Sequence, residues 1–181
     1  MQDKEQPENG KFLEAGTRAP DFDLASSELK NVTLADFRGK PLIIAFYPGD
    51  FSPVCGDQMT LYNEVYPDFV EYGAQIIGIS VDSKWCHAAF AKQKNLRFPL
   101  LADFEPKGEV ARRYGAYRDE DGTTERALFV LDENGIIAWS FLAVDIDVNP
   151  GADGILNALE KLKTGSTARE KSATTDAGAR A

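Results

Sequence analysis

The apolar and polar positions of this chain change period several times between two polar ends. Residues 19–24, Ala-Pro-Asp-Phe-Asp-Leu, alternate as a half-buried strand does, and Val32-Thr33-Leu34 can pair with them across a turn at 28–31. Residues 42–47 form a continuous apolar run, which predicts a strand buried on both faces, and 75–81 form a second. Helical periodicity covers 54–72 and stops at Gly73, a good C-terminal cap. Ser83 caps a further helix to Asn95, residues 98–101 read as extended, and 106–114 read as a helix ended by Gly115. Residues 127–131 and 136–141 flank Asp132-Glu133-Asn134-Gly135, a hairpin signal. Ile155, Leu156, Leu159 and Leu162 predict a closing helix over 154–162.

The order is hairpin, β-α-β-α-β, hairpin, helix. Strands joined by crossover helices must run parallel, so an α/β fold follows, with a central mixed sheet flanked by helices. Residues 1–11 and 164–181 are polar or small, with little to bury, and are expected to be disordered tails. Between them, residues 12–163 read as one domain without an internal repeat.

Composition narrows the class. With 181 residues, 43% of them hydrophobic and 27% charged, the chain is a globular domain with a full core. No apolar run approaches the ~18 residues of a membrane span, and residues 1–10 lack the pattern of a secretory signal. A net charge of −9 argues against a nucleic-acid partner and against attraction to an anionic membrane. Two cysteines in a chain with ample core are no disulfide scaffold, which points to a reducing cytoplasm. Cys55, Cys86 and His87 are the only soft metal ligands, one short of a typical site, so neither metal nor cofactor is expected.

The most informative segment joins the first buried strand to the helix after it: Phe46-Tyr47-Pro48-Gly49-Asp50-Phe51-Ser52-Pro53-Val54-Cys55. Ser52 suits an N-cap and Pro53 the first helical position, which places Cys55 in the first turn. Free N–H groups and the helix dipole there favour negative charge, and the thiolate is the reactive form of cysteine. The strand-turn-helix context alone leaves a reactive thiol and a buried filler equally open.

The spacing Pro48-x-x-x-Ser52-x-x-Cys55 resembles the active-site signature of the peroxiredoxins, in particular their alkyl hydroperoxide reductase and bacterioferritin-comigratory-protein-like branch. The resemblance covers roughly 12–163 and implies a thioredoxin-like fold with an N-terminal β-hairpin extension. It implies a thiol peroxidase that reduces hydrogen peroxide and organic hydroperoxides through a Cys55 sulfenic acid, without metal, haem or flavin. Ser52 would then aim its hydroxyl at the sulfur or the peroxide, a role compatible with capping. The family usually has threonine there, so Ser52 lacks a rotamer-restraining methyl. Pro48 would shield the thiolate.

The resemblance also carries the catalytic arginine onto Arg126, which opens the strand Ala127-Leu128-Phe129-Val130-Leu131. Without it, Arg126 reads as a solvated strand end. Many relatives hold this arginine with a glutamate three residues after the cysteine. Here Gln58 stands there; it can accept a hydrogen bond but cannot neutralise Arg126, which leaves more positive charge at the sulfur.

Sulfenic acid must be reduced to close a cycle. Cys86, third in a helix after an adjacent strand, is the internal candidate for a resolving cysteine. A bystander thiol, with an external reductant, is the equal alternative. The enzyme is thus of one-cysteine or atypical two-cysteine type. The reductant would be of thioredoxin, glutaredoxin or low-molecular-weight-thiol kind. His87, the only histidine, reads as a helix-surface or packing residue rather than a base. Trp85, Trp139, Tyr47 and Phe51 read as core or subunit contacts, and a homodimer is expected from the resemblance. Two other readings compete: a thioredoxin-like disulfide oxidoreductase, disfavoured because Cys55-Gly56-Asp57-Gln58 is not Cys-x-x-Cys, and a non-enzymatic peroxide sensor or chaperone on the same fold.

Overall fold

The computed structural model describes residues 10–177. In chain order the strands are β1 (Asp23–Ser26), β2 (Asn31–Thr33), β3 (Leu42–Phe46), β4 (Gln75–Ser80), β5 (Leu100–Ala102), β6 (Tyr117–Arg118), β7 (Thr123–Thr124), β8 (Ala127–Leu131) and β9 (Ile137–Leu142). The helices are α1 (Pro53–Glu64), α2 (Tyr66–Glu71), α3 (Lys84–Lys94), α4 (Glu109–Tyr114) and α5 (Asp153–Ala177), with one 3-10 turn at Leu34–Phe37.

Seven strands form one mixed sheet in the order β2-β1-β5-β4-β3-β8-β9. β3, β4 and β5 are parallel, and β8 returns antiparallel to β3. The central strands are predominantly apolar because both faces are covered. Side chains alternate across a strand. Ile44 and Phe46 of β3 therefore join one buried cluster with Ile77, Ile79 and Phe129, while Ile43, Ala45 and Tyr47 join a second with Leu128 and Val130. Tyr114 of α4 and Phe22 before β1 close the first face; Met59 and Tyr62 of α1, Phe90 of α3 and Ile155 of α5 close the second.

Parallel neighbours put the C-terminal ends of β3 and β4 at one edge of the sheet, where α1 and α3 begin. That edge is where an α/β sheet builds its sites.

Several boundaries differ from the expectation, each for a physical reason. The helix expected over 54–72 is two helices, because Pro67 lacks the N–H that a continuous helix needs; the break falls at Val65, φ −85° and ψ 5°. β1 starts at Asp23 rather than Ala19. α4 starts at Glu109, after Gly108 in the left-handed region at φ 70°. The closing helix runs to Ala177, so residues 164–177, expected in a disordered tail, are helical. That stretch holds one glycine, Gly165, and no proline, and a helix already nucleated by the buried Ile155 and Leu159 adds residues at little cost. At the other end, Gly10 donates its N–H to the Arg112 carbonyl at 3.3 Å, so the ordered chain starts before Phe12. The remainder of both expected tails, 1–9 and 178–181, lies outside the described residues.

Candidate active site

β3 delivers the chain to the site edge, and Tyr47 extends the pairing by donating its N–H to the Ile79 carbonyl at 3.1 Å. Thr124, fully buried, donates its hydroxyl to the Tyr47 carbonyl. The loop then turns through Phe51, whose φ of 63° is rare for a residue with a side chain. The Phe51 ring stays 52% exposed and meets the edge of Phe90 at 5.1 Å. Ser52 is extended, and its Oγ accepts the Cys55 N–H at 3.4 Å. The predicted cap is therefore present, with Pro53 at the helix start.

Cys55 is fully buried in the first turn of α1. Its Sγ lies 3.6 Å from Nη2 of Arg126, whose Nη1 donates to Gln58 Oε1 and whose Nε donates to the Ile146 carbonyl at 2.8 Å. The guanidinium is 2% exposed and, among the described residues, makes no ion pair with a carboxylate. A buried cation is costly unless it is bonded, and here Nη2 is directed at the Cys55 sulfur. Arg126 is thus no solvated strand end. Gln58 accepts from it, as the amide reading requires, and donates Nε2 to the Tyr62 hydroxyl at 3.0 Å. Tyr62 in turn donates to the Gly151 carbonyl at 3.3 Å. Pro48 sits half-buried in the loop that brings the chain to Ser52.

The structure therefore brings Cys55, Ser52 and Arg126 together. The sulfur is shut from solvent. Around it in sequence, Pro48, Ser52 and Val54 are half-buried, Phe51 and Pro53 exposed, and Gly56 buried.

Cys86 lies on the same edge but in different company. Ser83 caps α3 and accepts the Cys86 N–H at 3.3 Å, which repeats the Ser52 arrangement. The Cys86 sulfur and the carboxylates of Asp50 and Asp82 fall within 4.8 Å of one another. Burial, then the two carboxylates, push the Cys86 thiol up to about 12. It is a protonated thiol at neutral pH, poor both as nucleophile and as metal ligand. Asp82 Oδ2 already accepts the Asp50 N–H at 2.8 Å and the Ser80 hydroxyl at 2.7 Å, so this trio is a bonded corner rather than an open ligand set.

His87 is fully buried, not on a helix surface, and it has a carboxylate partner that the sequence did not reveal. Nδ1 stands 2.9 Å from Asp50 Oδ2, and Nε2 faces the Leu101 carbonyl at 3.1 Å. Tyr47 donates its hydroxyl to Asp50 Oδ1 at 2.8 Å; burial, then the Asp50 charge, push this phenol well up, so it remains a donor. Tyr62 and Asp50 were the functional neighbours missed. Their signals were present, since Tyr62 lies one turn after Gln58 and Asp50 precedes the cap, but both resembled ordinary core and loop residues. Of the four aromatics read as core or subunit contacts, Tyr47 is core, Trp139 packs its ring over Gly154, and Trp85 is 64% exposed.

Residues 15–140 match the AhpC/TSA family model. Peroxiredoxin 2 of Thermoplasma acidophilum is 32% identical over 154 residues, 82% of this chain and 75% of that protein. A peroxiredoxin of Thermoplasma volcanium is 36% identical over 130 residues, 68% of this chain, and the aligned region spans 63% of that relative's length. Among solved structures, reduced 2-Cys peroxiredoxin of Plasmodium vivax superposes with a TM-score of 0.77 at 26% identity, covering 86% of this chain and 84% of that one. The peroxidoxin BcpB of Mycobacterium tuberculosis gives 0.75 at 26% identity, covering 83% and 98%.

Proposed function

Because this chain belongs to the AhpC/TSA family of peroxiredoxins, we propose that it is a thiol-dependent peroxidase whose nucleophile is Cys55. The observation that carries the reading is the 3.6 Å approach of the buried Arg126 to the Cys55 sulfur, with no ion pair between Arg126 and a carboxylate among the described residues. A guanidinium is always charged and offers a fork of donors, so it can hold the thiolate and a peroxide oxygen together. Burial strengthens that interaction because little water screens it.

The reaction follows from these parts. The Cys55 thiolate attacks one peroxide oxygen, the O–O bond breaks, and the departing alkoxide takes a proton to leave as alcohol or water. Cys55 is oxidised to the sulfenic acid. An external thiol then forms a mixed disulfide with Cys55 and releases water; a second thiol restores Cys55 and leaves as the oxidised disulfide. Hydrogen peroxide and organic hydroperoxides are the substrate class, and a thioredoxin-, glutaredoxin- or low-molecular-weight-type thiol the partner. An external thiol is favoured over Cys86 because Cys86 is held protonated between Asp50 and Asp82. The shared sheet edge supports Cys86 as the second reading.

The reading extends to a reducing, cytoplasmic setting, supported by two cysteines in a chain with ample core. It extends also to a homodimer. Phe141, Leu142 and Val144, exposed on and just after the edge strand β9, give a second copy apolar surface to cover. Hydroperoxide consumption with a dithiol donor tests the activity. Turnover by the native protein, lost in Cys55→Ser, is expected; turnover without Cys55, or reduction of insulin disulfides in its place, overturns it.

A further inference from the structure

We propose that Tyr62 is a positioning residue for the Cys55 site: its hydroxyl decides which end of the Gln58 side chain faces Arg126. The proposal rests on the peroxidase reading for its purpose, but its geometry stands apart from it.

A primary amide has a donor end and an acceptor end, and only the acceptor end can meet a guanidinium. A carboxylate at position 58 would need no orienting, since both of its oxygens accept. Gln58 does need it. With the amide turned round, its NH2 would face the Arg126 N–H groups, donor against donor, in a fully buried pocket.

What prevents this is a directional chain of hydrogen bonds. The Gly151 carbonyl takes the single Tyr62 hydroxyl proton at 3.3 Å, which leaves the phenol oxygen as an acceptor. That oxygen accepts Gln58 Nε2 at 3.0 Å, so Oε1 is turned to Arg126 Nη1. Burial pushes the Tyr62 phenol well up, so it keeps the proton that sets the direction. The Arg126 Nε is held at 2.8 Å by the Ile146 carbonyl, in the same segment between β9 and α5. Nη2 is then aimed at the Cys55 sulfur. A backbone carbonyl at Gly151 thereby fixes the polarity of a bond network that ends on the reacting atom.

The test measures the thiolate of Cys55 by its ultraviolet absorbance against pH, in a Cys86→Ser background so that one thiol titrates. This readout needs no peroxide turnover. Tyr62→Phe removes only the hydroxyl oxygen and is expected to lower the thiolate fraction, at pH values below the midpoint, by about tenfold. In a Gln58→Glu background the same substitution is expected to change it by less than about twofold, because a carboxylate has no wrong end. Loss of the Gly151 hydrogen bond lowers thermal stability in both backgrounds, so stability alone does not distinguish the roles. An unchanged titration in Tyr62→Phe overturns the proposal, as does an equal fall in both backgrounds. Should Tyr62→Phe fail to fold, the native protein carries the test: slowly exchanging Gln58 amide protons are expected by NMR, and rapid exchange overturns it. If hydroperoxide turnover is absent while the Tyr62 effect is present, the function falls and this inference stands.

Discussion

Nδ1 of His87 stands 2.9 Å from the Asp50 carboxylate, with both side chains closed to solvent. The pair joins the loop before Cys55 to the helix that carries Cys86, and the Asp50 N–H bonded to Asp82 ties the same loop to the turn before that helix. Two consecutive βα units are thus locked at the edge where the chemistry sits.

Removing one partner of such a buried pair strands the other. His87→Ala is expected to destabilise the fold by about 3 kcal/mol, since it empties a fully buried site and removes the imidazole contacts to Asp50 Oδ2 and the Leu101 carbonyl. Thermal unfolding should show a melting temperature lower by roughly 6–12 °C. A change under about 2 °C would mean that the pair carries no net stability.

Much of the fold was legible before any coordinates, and the reason is periodicity. The apolar runs at Leu42 and Gln75 could only be central strands, and Ser83 with Asn95 bracketed α3 correctly. The break at Val65 falls two residues before Pro67, within a stretch whose helical period runs on either side of it. The short ribbon of β6 and β7 left no periodic trace, because two-residue strands cannot. At the site, Ser52 and Cys55 were visible because they are neighbours on one helix turn. Arg126 came only through resemblance, since 71 residues separate it from Cys55. The Asp50–His87 pair was hidden for the same reason, while Tyr62, one turn from Gln58, looked like an ordinary core residue because its tie to Gly151 is set by tertiary packing.

The neutral amide at position 58 sets the charge around the sulfur. Gln58→Glu places a carboxylate on Arg126 Nη1, where Oε1 now accepts. The Cys55 thiolate then shares its cation. Its titration should move to higher pH, with about tenfold less thiolate at a pH below the midpoint. Ultraviolet titration in a Cys86→Ser background checks this, and coincident curves would refute the account of Gln58.

Arg126→Lys keeps the charge and loses the fork. One ammonium cannot serve Gln58, the Ile146 carbonyl and the sulfur with the geometry of three guanidinium nitrogens. Hydroperoxide reactivity is expected to fall on the order of 10²-fold, the cost of losing an aimed donor. Stopped-flow measurement of the oxidation step reads it directly, and a fall under about threefold would place Arg126 outside the reaction.

Cys86 should be inert at neutral pH. In Cys55→Ser protein its alkylation should rise only as pH climbs toward about 12, the ordinary thiol range being passed without reaction. The sign follows from the neighbours: burial and the carboxylates of Asp50 and Asp82 disfavour the thiolate, so the protonated form persists above the usual midpoint. Asp82→Asn keeps an acceptor for Ser80 and the Asp50 N–H while removing one charge, and its alkylation midpoint should drop. A midpoint in the native arrangement near that of a free thiol would refute this account of Cys86.

The central claim is that the sulfur of Cys55 is the atom a hydroperoxide oxidises. Intact mass of the reduced protein after one equivalent of hydrogen peroxide tests it most directly, with peptide mapping to place the change. The account predicts a gain of one oxygen atom confined to Cys55, and no gain in Cys55→Ser. An unmodified Cys55, or oxygen carried on Cys86 or a methionine instead, contradicts it.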